Sequence, residues 1–297
     1  MWKLYYNKKL TIFLLLLPLL IWLGLVYLGS LFTLLLNSFY RVDDFSGVIV
    51  REISLSTFKD LFGQRTNLDI IFRTVAMASS VTITCILIAF PIALFMYNNK
   101  NQFLKPILYL GIMLPLWSSY LVKVYAWKLI LAKQGIINFF VELTGTQVFL
   151  DSLLSIPVIG GTSLSFSYMG IYLVFVYMWL PYMILPIYAS LQRIPLNLIL
   201  ASEDLGATPS ITFRKIIIPL VVPGIVAGSI FTFSLTLGDY IVPTIIGNSS
   251  YFIGMAVYTH QGTAGNIPLA AAFSIVPIII MLIYLMLAKR IGAFDAI

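Results

Sequence analysis

The strongest constraint on this chain is a recurring absence: stretches of membrane length in which no side chain carries a formal charge. They run from Leu10 to Tyr40, Thr74 to Asn99, Ser152 to Gln192 and Ile216 to Gly238, and a shorter one, Pro106 to Val122, extends past Lys123. A spanning helix needs about 20 mostly apolar residues. The segment from Tyr240 to Ala288 is too long for one helix, but His260, Gly262, Gly265, Asn266 and Pro268 interrupt it and leave Ile267 to Ala288 as a span. The pattern predicts an all-α polytopic membrane protein with six helices near 10–36, 70–97, 104–130, 167–191, 218–244 and 267–289. Residues 131–166 and 245–266 become outer loops, the first with a short surface-lying helix around Ile136 to Leu143. A seventh span within one of these stretches is the alternative count.

Composition and charge agree with a bilayer. Apolar residues make up 60% of the 297 positions and charged ones 10%, with a mean hydropathy of +1.00, too apolar for an ordinary soluble surface. Lys and Arg collect on cytoplasmic segments of membrane proteins. With an even number of spans and both termini inside, the cytoplasmic parts hold ten basic residues (Lys3, Lys8, Lys9, Lys100, Lys105, Arg193, Arg214, Lys215, Lys289 and Arg290) against Glu203, Asp204 and Asp295. That excess of seven equals the net charge of +7, and the remaining eight basic residues are balanced by eight acids. The basic excess sets orientation, so nucleic acid is not needed as a partner. The basic N-terminus precedes an apolar run too long for a cleavable signal, with no small-x-small site at a convenient distance, so Leu10 to Leu36 reads as a retained helix. The single Cys85, inside the second span, cannot form an internal disulfide.

Between apolar runs lies a polar island, Leu200 to Pro219, reading LASEDLGATPSITFRKIIIP. It reads as two short helices and a sharp turn. Pro195 suits a first-turn position, Gly206 a left-handed C-cap, and Thr208-Pro209 an N-cap followed by a first-turn proline. Glu203 and Asp204 sit where a helix dipole disfavours negative charge, by about 0.3–1 kcal/mol each, which suggests an external basic partner. The competing reading is a surface helix whose Arg214 and Lys215 snorkel to headgroups.

The island resembles the cytoplasmic "EAA" loop of ATP-binding-cassette (ABC) importer permeases, a Glu-Ala-Ala, Gly, Ile-x-Leu-Pro pattern. Ala201, Ser202, Gly206, Ile216 and Pro219 are in register, while Leu200 replaces the Glu and Ile218 the Leu. Residues 113–140 resemble the third-helix segment of spermidine/putrescine-type permeases, through Pro115-Leu116-Trp117, Tyr125-Ala126-Trp127, Gly135 and Asn138, with Lys123 where Arg is expected. LGDYIVPTIIGN, residues 237–248, resembles the Gly-Asp-Tyr-x-x-Pro segment of the first permease of those importers. The resemblance implies a single type I permease domain over 1–297 with its coupling loop at about 195–219, in a bacterial inner membrane. It implies half of a pathway for spermidine and putrescine. Implied partners are a second permease, two ATPase subunits, an extracytoplasmic binding protein and membrane lipid. Coupling would fall to Leu200, Ala201, Ser202, Glu203, Asp204, Gly206 and Ala207. Other cargo (iron, an opine, a phosphonate, another organic solute) leaves the machine unchanged.

The residues exclude several chemistries. No Gly-x4-Gly-Lys-Ser/Thr loop is present to cradle phosphates, so ATP and Mg would bind partner subunits and this chain needs no cofactor. One His and one Cys cannot supply zinc or Cys/His chemistry, and His260 reads as a polar outer-loop residue. Asp239 stands between charge-free stretches, and an intramembrane carboxylate is a functional candidate. It pairs with an ammonium in one reading, beside Tyr240 and aromatic faces from Trp117, Tyr120, Trp179 or Tyr182. In the other it sits at the outer helix end, solvated or holding a neighbouring subunit. A self-contained secondary transporter would use Asp239 as its ion site, but the turn-containing loop and the lack of inverted repeats disfavour one. Gly224 and Gly228 form a close-approach face, open to a second permease or to a helix of the same chain.

Overall fold

A computed structural model describes residues 8–290 apart from 44, 158 and 248–250. Lys3, Asp44, Asn248 and Asp295, which entered the charge count or the motifs above, lie outside the described residues. Contacts group the chain into two compact units, Met1–Leu68 with Val257–Ile275 and Asp69–Ala256 with Val276–Ile297.

In the first unit, α1 (Lys8–Ile21) and α2 (Gly29–Ser38) are joined through a π-helical stretch, Trp22–Leu28, into one apolar rod. None of the most apolar window of this rod is buried. A hairpin follows, in which β1 (Arg41–Val42) pairs antiparallel with β2 (Ile49–Val50), Arg41 opposite Val50. Its turn is closed by Asp43, whose Oδ1 accepts from the Phe45 and Ser46 amides at 2.8 and 3.2 Å. Those two donors hold the Asp43 carboxyl below the usual carboxylate range. Helix α3 (Ser56–Gly63) folds back so that Thr57 donates to the Tyr40 carbonyl at 2.6 Å.

Helix α4 (Arg65–Asn98) begins five residues before its predicted start. The third predicted helix, 104–130, is two: α5 (Leu104–Trp117) and α6 (Tyr120–Ile130), bent by 98°. Ser118 is extended and Ser119 also leaves the helical conformation, with ψ of 134°, and the Pro115 carbonyl accepts from Ser118 Oγ at 3.0 Å and Lys123 Nζ at 2.7 Å. Side chains thus satisfy a backbone group released by the break. Helix α7 (Ile136–Leu143) lies where the sequence placed it, and α8 (Gln147–Leu154) was not anticipated. Helix α9 (Tyr168–Gln192) starts at Ser167, whose Oγ accepts from the Gly170 amide at 3.0 Å.

Beyond α9 come α10 (Leu196–Asp204), α11 (Pro209–Thr212), a π-helical turn at Phe213–Ile217 and α12 (Ile218–Gly238). The predicted 218–244 helix therefore ends at Gly238, and α13 (Ile241–Ile245) is a separate turn of helix. Helix α14 (Ile253–Gln261) occupies much of the predicted outer loop 245–266. His260 is accordingly a helical residue, stacked on Phe273 at 5.8 Å, rather than a loop residue. Helix α15 (Ile267–Arg290) is the last element of the described residues. Among the described residues five helices are long and apolar enough to cross a membrane, and the bent pair counted as one span makes a sixth.

The second unit is organised around α9, which buries residues on every side of its axis, from Ile171 and Phe175 to Met183, Ile187 and Leu191. Helix α12 packs directly along it. A Cβ at Gly224 would come within 2.6 Å of the Pro186 carbonyl, and one at Gly228 within 2.7 Å of Met183 Sδ. The Gly-x3-Gly face is therefore an intrachain packing face. At the end of α9 that begins with Tyr168, the Ser165 amide donates to the Leu131 carbonyl at 3.1 Å and its carbonyl accepts from the Gly247 amide at 2.8 Å.

Candidate functional site

Two places in the second unit gather the residues singled out by sequence. The first is the loop that the sequence marks as a candidate for coupling. Helix α10 ends in a Schellman turn: the Gly206 amide donates to the Glu203 carbonyl at 2.8 Å and the Ala207 amide to the Ser202 carbonyl at 3.0 Å. Gly206 has φ of +76°, the left-handed conformation expected of it. Pro195 is the N-cap of α10 and not a first-turn residue, because its ψ of 127° is extended. Thr208 is the N-cap of α11 with Pro209 at its first position.

The two helices are held to each other by a buried hydrogen bond between the Ser202 and Thr212 hydroxyls, 2.7 Å. Sequence reasoning grouped Ser202 with the contact residues and passed over Thr212. The only available signal was two hydroxyl residues ten apart across a predicted turn. Leu200, Ala201, Glu203, Asp204 and Gly206 are exposed and Ala207 partly so, and the loop presents Leu200 and Leu205 at 48% and 88% exposure. Apolar tips thus stand exposed beside two carboxylates on a pair of short helices.

The second place is the break after α12. Asp239 ends the helix with ψ of 129°, and its Oδ1 accepts from the Ile241 and Val242 amides at 2.8 and 2.9 Å, which starts α13. Its Oδ2 accepts from the Tyr120 hydroxyl at the start of α6. Two interrupted helices thus meet through one carboxylate, which has three donors. A Cβ at Gly254 would lie 2.7 Å from the carbonyls of both Gly238 and Asp239, so α14 reaches this break only because position 254 has no side chain.

Aromatic rings extend the site. Tyr120 stacks on Trp179 with centroids 6.1 Å apart, Trp179 meets Tyr182 at 5.9 Å, and Tyr182 meets Phe231 at 6.4 Å. Asp239, Tyr120, Trp179 and Tyr182 are therefore brought together. Tyr240 and Trp117 flank the two breaks with exposures of 40% and 72%. Sequence reasoning missed Phe231 and the Lys123 brace on Pro115. Among the described residues no cluster of His, Cys, Asp or Glu could hold a metal ion.

Residues 86–293 match the family model described as the binding-protein-dependent transport system inner membrane component. The chain belongs to this family of ABC transporter permeases. It is 50% identical over 293 residues, 99% of this chain and 93% of the relative, to the inner membrane ABC transporter permease protein YdcU of Escherichia coli K12. It is 28% identical to the spermidine/putrescine transport system permease protein PotB of Haemophilus influenzae, over 75% of this chain and 74% of that one. Among solved structures, a chain of a bacterial alginate ABC transporter, in complex with its alginate-bound periplasmic protein, matches with TM-score 0.74 at 14% identity, covering 100% of this chain and 98% of that one. A chain of the MetNI methionine ABC transporter in an inward-facing conformation matches with TM-score 0.56 at 16% identity, over 77% and 95%. The fold is that of an ABC importer permease, a multi-pass protein of the inner membrane. As the permease subunit it is not itself catalytic, and the family carries no bound cofactor.

Proposed function

We propose that this permease forms half of a translocation pathway for polyamines, spermidine and putrescine among them. It works with a second permease, two ATPase subunits and an extracytoplasmic binding protein, and both of its termini are cytoplasmic. The observation that carries the cargo class is the half-buried Asp239, held between two helix breaks and continued by the Tyr120–Trp179–Tyr182 row. A linear ammonium compound leaving water needs a compensating charge, and aromatic faces add cation–π attraction along its length. The PotB relatives support the same reading. Trp117 and Tyr240 are exposed in the single chain, which supports a role for them in completing the pathway against the second permease.

On this reading Tyr120 is the group that cargo displaces. An arriving ammonium takes the Oδ2 acceptance that Tyr120 holds, while the two backbone donors on Oδ1 keep the carboxylate in place. The coupling loop moves as one lever when the ATPases close, since the Ser202–Thr212 bond and the Gly206 turn fix its two helices.

The test is uptake of labelled polyamine and ATP hydrolysis, measured together in the assembled complex. Asp239→Asn keeps size and acceptor but removes charge. It should lower uptake ~10-fold or more, from the ~1.5–3 kcal/mol of a charge-assisted hydrogen bond, with basal hydrolysis largely kept. Asp239→Glu should retain more uptake than Asn. Parental uptake in the Asn variant would make Asp239 structural and remove the basis for a cationic cargo.

A further inference from the structure

An open cleft of about 640 Å³ lies between the first turns of α5 and the last turn of α9, lined by Gln102, Lys105, Pro106, Tyr109, Tyr188 and Gln192. It sits at the end of the bundle from which the coupling loop departs, four residues after Gln192. Of these residues only Lys105 carries a formal charge, one of the basic residues that set the predicted orientation.

The cleft is built around one cation. Lys105 is partly buried, with Nζ over the Tyr188 ring at 6.0 Å. Among the described residues it has no carboxylate partner. The buried Tyr188 hydroxyl accepts from Gln192 Nε2 at 3.0 Å, which leaves its own proton to donate. Residues 99–109 and 186–196 contain Lys100, Lys105 and Arg193 and no acid. Lysine ammonium, tyrosine hydroxyl and carboxamide N–H groups all donate, so the ligand they suit is an anion with several acceptor oxygens, such as a phosphate ester. Immediately beside them, the N-cap residue Phe103 and the α5 residues Ile107 and Leu110 are exposed at 84%, 62% and 51%. Their spacing of four and three residues makes one apolar stripe.

We propose that this cleft is a binding site for the phosphate of an anionic glycerophospholipid, with its acyl chains lying along the Phe103–Ile107–Leu110 stripe. A free phosphate would satisfy the donors and leave the stripe unexplained, whereas a lipid satisfies both. Basic pockets between spans at the cytoplasmic surface take anionic headgroups in this way. The site joins α5 to the end of α9 that continues through Arg193–Pro195 into α10. Lipid occupancy therefore stiffens the segment through which the coupling loop is attached, and the polyamine proposal is not required for it.

The assembled complex in nanodiscs provides the test, with phosphatidylcholine alone or with phosphatidylglycerol added. Retained phosphatidylglycerol is counted by native mass spectrometry, and ATPase activity stimulated by the loaded binding protein is read in parallel. Lys105→Gln should weaken retention about fivefold, from the loss of one near-surface cation, and flatten the response of ATPase activity to phosphatidylglycerol. Lys105→Arg should restore both, which separates a lost charge from a failure to fold. Lys100→Gln, an exposed cation outside the cleft, should leave retention near the parent's. Three results would overturn the site: retention in Lys105→Gln equal to the parent's, equal losses in the two Gln variants, or inorganic phosphate reproducing the stimulation in phosphatidylcholine discs.

Discussion

At the scale of single residues, the coupling loop turns on Gly206 and the Ser202–Thr212 pair. No atom lies within 4 Å of a Cβ built on Gly206, so Gly206→Val costs backbone conformation alone, ~1 kcal/mol or more at φ of +76°. We expect the complex to assemble less well and transport to fall, while the membrane helices stay folded; circular dichroism and uptake together check this. Ser202→Ala leaves Thr212 without its buried partner, a loss of ~1 kcal/mol, and should uncouple hydrolysis from uptake more than it weakens ATPase binding. Leu200, where the family pattern has Glu, is half exposed and fills an apolar groove of the ATPase on this reading, so Leu200→Glu should be tolerated if the family's usual contact is available. Much here was legible in the residues: Gly206 and Thr208-Pro209 have few other uses at such spacing. The partner of Asp239 was not legible, because Tyr120 is 119 residues away and local pattern carries no information about which distant hydroxyl a fold will deliver.

At the scale of elements, charge-free length located every span, because the bilayer imposes it one helix at a time. Breaks inside spans were harder. Hydropathy is blind to the 98° bend between α5 and α6, since Ser118 and Ser119 are uncharged and interrupt the apolar pattern too briefly to register. The early end of α12 was hidden likewise, because Asp239 looked like a lone charge within a span, whereas its carboxylate collects the first amides of α13. The α9–α12 contact gives a sharper expectation. Gly228→Leu would drive a side chain into Met183 and its backbone, overpacking that costs ~1–3 kcal/mol or more, so the subunit should lose thermal stability even when no second permease is present. A variant unstable only in the assembled complex would place this face at the subunit boundary instead.

At the scale of the whole molecule, the proposed orientation rests on where the basic residues fall. Cysteines placed at Asn99 and Ser210 should react with an impermeant thiol reagent only from the cytoplasm, and at Ser46 and Gly262 only from outside; labelling at position 46 from within would reverse the topology. Six spans, the turn between α10 and α11 and the family were all within reach of the sequence because each rests on local composition or spacing. The hairpin at 41–50, α8 and α14 carry no such signature. The bent third span has a consequence for truncated chains. At ~1.5 Å per residue, the 14 residues of α5 and the 11 of α6 rise about 21 and 16 Å, short of the ~30 Å hydrocarbon layer. Neither half is long enough to cross alone, and the pair packs on elements that follow it in the sequence, α5 on α9 and α6 on α13 among them. A chain truncated before α13 is therefore expected to hold α5 and α6 less firmly than the full chain does, which limited proteolysis of the two in membranes would check.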